Sequence, residues 1–149
     1  MAEAPSRILI VDDDAHTRAL LKELCESSGF EVTLAEDGAA GLKLAQQIGP
    51  DLMLLDLQMP EMDGFATLRA IRENKGLADL PVIILSVNAD IDGKIRGLEL
   101  GADDYITKPF KLFELTTRIK AALAVRRYRE KLRQVEAEIA ELKGADMLT

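Results

Sequence analysis

The stretch "DLMLLDLQMPEMDG" (Asp51–Gly64) decides the fold. Its apolar run, Leu52 to Leu55, follows the breaker pair Gly49-Pro50 and is too short for a helix. It reads as a buried strand. The run ends in one carboxylate, Asp56, and then Leu-Gln-Met-Pro. A buried strand that delivers a charged side chain at its last position needs a reason.

Outward from this strand, short apolar runs alternate with helical patterns. "RILIV" (Arg7–Val11), "EVTLA", "VIILS" (Val82–Ser86) and "DYIT" read as four more strands. "AHTRALLKELCESSG" places Leu20, Leu21 and Leu24 at helical spacing, and "GAAGLKLAQQIGP" forms the next helix. "GFATLRAIREN" sets Phe65, Leu68 and Ile71 on one face. "IDGKIRGLELGA" is a helix weakened by Gly93 and Gly97,. A last helix starts near Lys111. Five strand-helix units predict an α/β fold with a doubly wound parallel sheet; two strand orders are open to it, and a five-stranded unit of this size favours the flavodoxin-like order 2-1-3-4-5. Continuous apolar strands agree with burial on both faces.

The length, 149 residues, suits one domain with an appendage,. Hydrophobic content is 48% with 4% aromatics, so Leu, Ile, Val and Ala must build the core. A net charge of −7 argues against direct nucleic-acid binding by this stretch,. The single cysteine, Cys25, excludes an intramolecular disulfide and a cysteine-based zinc cluster,. No run is long enough to span a bilayer, and "MAEAPSR" lacks a signal-peptide pattern,. A cytoplasmic protein with no membrane partner is the expectation.

In such sheets ligands bind beyond the carboxyl ends of the strands. There the order 2-1-3-4-5 brings together Asp12 and Asp13 of "VDDD", Asp56, Ser86 and Lys108 of "TKPF". Asp14 reads as a helix N-cap. Singly, each of the others could be a turn or surface residue. Jointly they could not, because three packed carboxylates repel one another without a cation. Mg²⁺, a hard ion held by carboxylates, water and phosphate, fits.

"ILIVDDD", "DLMLLDLQMPEMDG", "VIILS" and "GADDYITKPF" resemble the receiver domain of two-component response regulators over about Ser6 to Ala124. The resemblance implies a phosphoacceptor signalling module. Asp56 would accept a phosphoryl group from a sensor histidine kinase or a small phosphodonor. Asp13 and Asp56 would ligate Mg²⁺ directly, Asp12 through water, and the carbonyl of Gln58 would add a ligand. Lys108 and Ser86 would contact the phosphoryl oxygens, and Lys108-Pro109 would be cis. Ser86 and Tyr105 would form the switch. The face of helix four, strand five and helix five would report it, with Lys94–Glu114 and Asp104–Arg118 as ion pairs between subunits. Val87 stands where many family members carry alanine. Such a module turns over nothing but its own phosphoryl group. The lone His16 reads as an exposed residue and not as a donor.

Domain boundaries are read as 1–120 for the receiver and 121–149 for a coiled-coil segment. In the latter, Val125, Leu132 and Ile139 take position a, and Ala121, Tyr128, Val135 and Leu142 take position d,. Positions g hold Lys131 and Glu138, and positions e hold Arg129, Glu136 and Lys143. These charges favour a parallel homodimer, dependent on phosphorylation. From Lys111 to Lys143 the rod would run roughly 50 Å, with Gly144 as its stop. The final "ADMLT" resembles the start of a GGDEF-type diguanylate cyclase domain. Two alternatives compete: a Mg²⁺-dependent phosphohydrolase with an aspartyl nucleophile, and a dimerisation scaffold that is never phosphorylated. Gln58 stands where haloacid-dehalogenase-like enzymes carry a second Asp, which disfavours the first.

Overall fold

The computed structural model describes residues 4–57, 59, 63–87 and 91–148. The chain runs β1 (Arg7–Val11), α1 (Ala15–Ser27), β2 (Glu31–Ala35), α2 (Gly38–Ile48), β3 (Leu52–Asp56), α3 (Gly64–Glu73), β4 (Val82–Ser86), α4 (Ile91–Glu99), β5 (Asp104–Thr107) and α5 (Leu112–Leu148). The five strands pair in parallel in the order β2-β1-β3-β4-β5. This is the predicted doubly wound sheet.

Successive strand residues point to opposite faces, so each strand feeds two cores. Leu9, Val11, Met53, Leu55, Val82 and Ile84 pack on one face with Leu68 and Ile71 of α3. Ile8, Ile10, Leu52, Leu54, Ile83 and Leu85 pack on the other with Leu21 and Cys25 of α1 and Leu115 and Ile119 of α5. In α1 the seam is therefore Leu21 and Cys25, while Leu20 is exposed. Gly97 has a packing reason within α4. A Cβ there would lie 2.6 Å from Cδ1 of Ile84, so its absence lets α4 approach β4,.

Polar contacts tie the edges together. Arg72 donates to the carbonyls of Gly101, Ala78 and Leu80 and pairs with Asp103 at 3.0 Å. It joins the turn after α3 to the turn before β5. Asp14 caps α1 by accepting the Thr17 amide, and that amide with the Thr17 hydroxyl holds its carboxyl below the usual range. Asp37 and Asp63 cap α2 and α3 in the same way,.

Helix α5 does not stop at Gly144 but continues to Leu148. With no special φ and open space around it, Gly144 is simply carried through. A helix of 37 residues is about 55 Å long,. Helix α5 passes residue 120 unbroken, as the single rod from Lys111 predicts. Its buried contacts end at Leu123. Beyond that point polar contacts tie it to the base of the sheet. Arg126 donates to the Pro50 carbonyl at 3.1 Å and pairs with Asp51 at 3.6 Å, and Arg133 pairs with Asp79 at 2.7 Å. A cleft of about 210 Å³ lies between α5 and this base. No helix among the described residues is long and apolar enough to cross a membrane.

Candidate functional site

The carboxyl edge of the sheet is built by register. Asp56 pairs with Leu85 across β3 and β4, and Ser86 pairs with Thr107 across β4 and β5. Pairing continues one step beyond Asp56, where the Leu57 amide donates to the Leu85 carbonyl at 3.1 Å. The Lys108 amide donates to the Ser86 carbonyl, which sets the root of the lysine beside the end of β4. Asp12 follows β1 directly, and its amide donates to Ala35. Asp56 thus stands at the centre of three strand ends. It, Asp12 and Ser86 are buried, at 4%, 1% and 4% exposure.

Three carboxylates gather here. One oxygen from each of Asp12, Asp13 and Asp56 lies within 4.8 Å of the others. Lys108 Nζ is 3.0 Å from Asp12 Oδ2 and 3.6 Å from Asp56 Oδ1. One ammonium therefore serves two buried carboxylates, which leaves the cluster short of positive charge. Asp12 is already engaged at both oxygens, since its Oδ1 accepts the Asp14 amide at 2.9 Å. Asp13 is exposed. The donor set is all hard oxygen, crowded and anionic, and it suits Mg²⁺ better than a softer metal. Gln58 lies outside the described residues.

Gly64 closes the site from behind. Its amide donates to the Leu57 carbonyl at 3.1 Å. A Cβ at Gly64 would lie 2.6 Å from the Asp56 carbonyl oxygen and from Leu57 Cα. Only glycine lets α3 begin this close to the strand end. The sequence signal was the last residue of the opening motif, and its spacing from Asp56 gave no hint of the contact. Arg18 went unnoticed as well. Its guanidinium reaches from α1 to donate to the Asp12 carbonyl at 2.7 Å.

The remaining predicted residues fall on two surfaces. Tyr105 is buried, at 6% exposure, on the same sheet face as Ile84 and Ser86. Lys94 is exposed on α4. Asp104 and Arg118 meet within one chain, with Arg118 Nη1 2.8 Å from both carboxylate oxygens, and Glu114 Oε1 lies 3.7 Å from Arg118 Nε. The pair expected between subunits is thus made inside the single chain. Hydrogen bonding to Asp104, and secondarily the charge of that carboxylate, raises the already high pKa of Arg118. Phe113 stands 81% exposed beside this group. Val125, Tyr128, Leu132, Val135, Ile139 and Leu142 are all exposed along α5. His16 is exposed too, and the Lys108-Pro109 peptide is cis.

Comparison with known proteins assigns this geometry. The family model "Response regulator receiver domain" matches residues 8–120. The DNA-binding dual master transcriptional regulator RpaA of Synechocystis is 44% identical over 117 residues, 78% of this chain and 48% of that protein. The transcriptional regulatory protein PrrA of Mycobacterium tuberculosis is 45% identical over 117 residues, 78% of this chain and 49% of that protein. Among solved structures, the receiver domain of the Francisella response regulator 1452 superposes with a TM-score of 0.75 at 36% identity, covering 81% of this chain and 98% of that one. The chain spans about half the length of the curated relatives it matches. The charge argument against nucleic acid therefore reaches only these 149 residues, because RpaA is itself described as DNA-binding.

Proposed function

The chain belongs to the response regulator receiver family, and from that premise we propose that it is the phosphoacceptor module of a two-component system. The observation that carries the reading is Asp56. It is a buried carboxylate at a strand end, flanked by Asp12 and Asp13 and faced by Lys108. An Asp56 oxygen attacks phosphorus, forming an O–P bond. The bond to the donor breaks, and its electron pair leaves with the imidazole of a kinase phosphohistidine or with acetate from acetyl phosphate. Lys108 compensates charge gathering on the phosphoryl oxygens, and the Ser86 hydroxyl donates to one of them. Asp12, Asp13, Asp56 and the Gln58 carbonyl would hold Mg²⁺, which when bound neutralises the approaching anionic oxygens.

Output follows from the β5 edge of the sheet. Tyr105 shares a face and a neighbouring strand with Ser86, so a pull on the hydroxyl reaches it within one step along the strand. The face of α4, β5 and α5 then changes its pairing with a second copy. Lys94, Glu114, Asp104 and Arg118 are the charged residues available there. For Asp104 and Arg118 to pair between subunits, their bond within the chain must first exchange partners. Along α5, the exposed seam pairs with a second copy in parallel.

The effector of the longer protein is a separate question. RpaA and PrrA are named transcriptional regulators, which supports a DNA-binding output. The uninterrupted run of α5 to Leu148 supports the other reading, a helix-coupled output such as a diguanylate cyclase.

Incubation with acetyl phosphate and Mg²⁺ tests the central reading by intact mass. One phosphoryl group is expected on the wild type and none on Asp56→Asn. Labelling that persists in the variant overturns the assignment. Steady turnover of simple phosphate esters would favour the phosphohydrolase instead.

A further inference from the structure

Asp13 presents an unusual problem of aim. It is exposed, and no hydrogen bond or ion pair to its carboxylate occurs among the described residues. Asp12, one residue earlier, is buried and held at both oxygens. No side-chain contact among the described residues fixes the aim of Asp13, so the rotamers open to it depend on its backbone, and first on the peptide plane between Asp12 and Asp13.

That plane is held by one side chain. Arg18 Nη1 donates to the Asp12 carbonyl oxygen at 2.7 Å. Arg18 is itself fixed on the first turn of α1, where its amide donates to the Asp14 carbonyl at 2.9 Å. The turn is closed on the other side by the Asp14 amide on Asp12 Oδ1 and by the Asp14 cap on Thr17. The segment 12–14 is thus clamped between a helix and its own side chains, with the arginine as the only side-chain donor on the Asp12 carbonyl among the described residues.

We propose that Arg18 is a positioning residue for the metal site, orienting Asp13 toward the cation by holding the Asp12 carbonyl. The proposal rests on the reading of Asp12, Asp13 and Asp56 as a Mg²⁺ site. Partners that orient a metal ligand change metal affinity by about 10-fold to 100-fold when removed. Charge alone predicts the opposite sign. A guanidinium near the site repels a divalent ion, so its loss should tighten binding.

The sign of the change decides between these accounts. Mn²⁺ serves as the probe, with the free ion counted by electron paramagnetic resonance in the presence of the intact chain. Arg18→Met keeps the apolar stem and removes donor and charge; its affinity is expected to fall by about 10-fold. Arg18→Lys keeps a donor and the charge, and is expected to fall between Met and wild type. It also serves if the Met variant does not fold. An Arg18→Met variant that binds as well as wild type or better overturns the proposal, as does a Lys variant no better than Met. Asp13→Asn is the control. If it loses no affinity, or the wild type binds no Mn²⁺, the metal reading fails and the proposal with it.

Discussion

Lys108 and Asp12 form an ion pair between the ends of β5 and β1, with Nζ 3.0 Å from Oδ2 across 96 positions of sequence. Asp12 is almost fully buried and Lys108 largely so, at 1% and 17% side-chain exposure. Removing the ammonium leaves a buried carboxylate whose one remaining hydrogen-bond donor among the described residues is the Asp14 amide, which offsets little of its lost hydration. Lys108→Met is therefore expected to lower stability by about 2–3 kcal/mol. Urea unfolding measures it. Added Mg²⁺ should restore part of the loss, because a cation again compensates the cluster. A variant as stable as wild type in metal-free buffer would show that the pair contributes little.

Cys25 carries a second expectation. It is wholly buried between α1 and the sheet, and burial pushes its thiol up to about 12. The folded state thus keeps the proton over a range in which the unfolded chain, near the ordinary value of 9.0, has lost it. A raised folded value contributes stability that is fully present below pH 9 and lost as pH rises toward about 12,. Wild type should lose more stability than Cys25→Ala across that window. A thiol reagent at pH 8 should label the folded protein only at the rate of its unfolding. Rapid labelling would contradict the burial.

Ser86 and Tyr105 give the third. Ile84 pairs with Tyr105 and Ser86 with Thr107, so the hydroxyl and the ring lie on one sheet face of adjacent strands. Ser86→Ala and Tyr105→Ala should still take a phosphoryl group at Asp56, measured by intact mass. The change in dimer affinity on phosphorylation, measured by analytical ultracentrifugation, should shrink by about 10-fold, the scale of a coupling near 1.4 kcal/mol. If both variants dimerise on phosphorylation as wild type does, the relay is wrong.

What the sequence made legible follows from which forces are local. The parallel sheet was readable because apolar runs such as Leu52 to Leu55 and Val82 to Leu85 fit a sheet covered on both faces, and its order was favoured by the count of five strand-helix units,. The acidic edge was readable because strand ends in a known order must converge. Less legible were contacts set by distance and not by pattern. Arg72 looks like a solvent-facing helix residue, yet it fastens two turns. Arg18 likewise sits in an ordinary helical pattern and reveals its carbonyl contact only in three dimensions. Gly144 shows the converse. A glycine in a helical pattern reads as a stop, but with no neighbour to clash and no turn to make, helix α5 passes through it at only a modest cost,.

The last prediction concerns α5. With Val125, Leu132 and Ile139 at position a, Arg126 and Arg133 fall at position b, and these are the side chains that hold the base of the sheet at Pro50, Asp51 and Asp79. The base therefore lies against one flank of the helix, and the apolar seam is left exposed, from 43% at Val135 to 71% at Tyr128. Docking of the base and pairing with a second copy are compatible. Charge favours a parallel pair, since Lys131 meets Glu136 of the second copy and Glu138 meets its Lys143. Arg129, at position e, meets only Ala124, and it instead lines the cleft against the base. The seam is weak, with small Ala121, bulky Tyr128 and β-branched Val135 at d, so the position of the receiver should control it. A cysteine at Leu132, in a Cys25→Ala background, should cross-link between chains more readily after phosphorylation. A cysteine at Gln134, on the outer side of the helix, should not. Arg133→Glu should weaken the dependence on phosphorylation by releasing the base, and Asp79→Arg in the same chain should restore it. Cross-linking at Leu132 that never responds to phosphorylation would reject the switch, and a monomer in both states would reject the coiled coil itself.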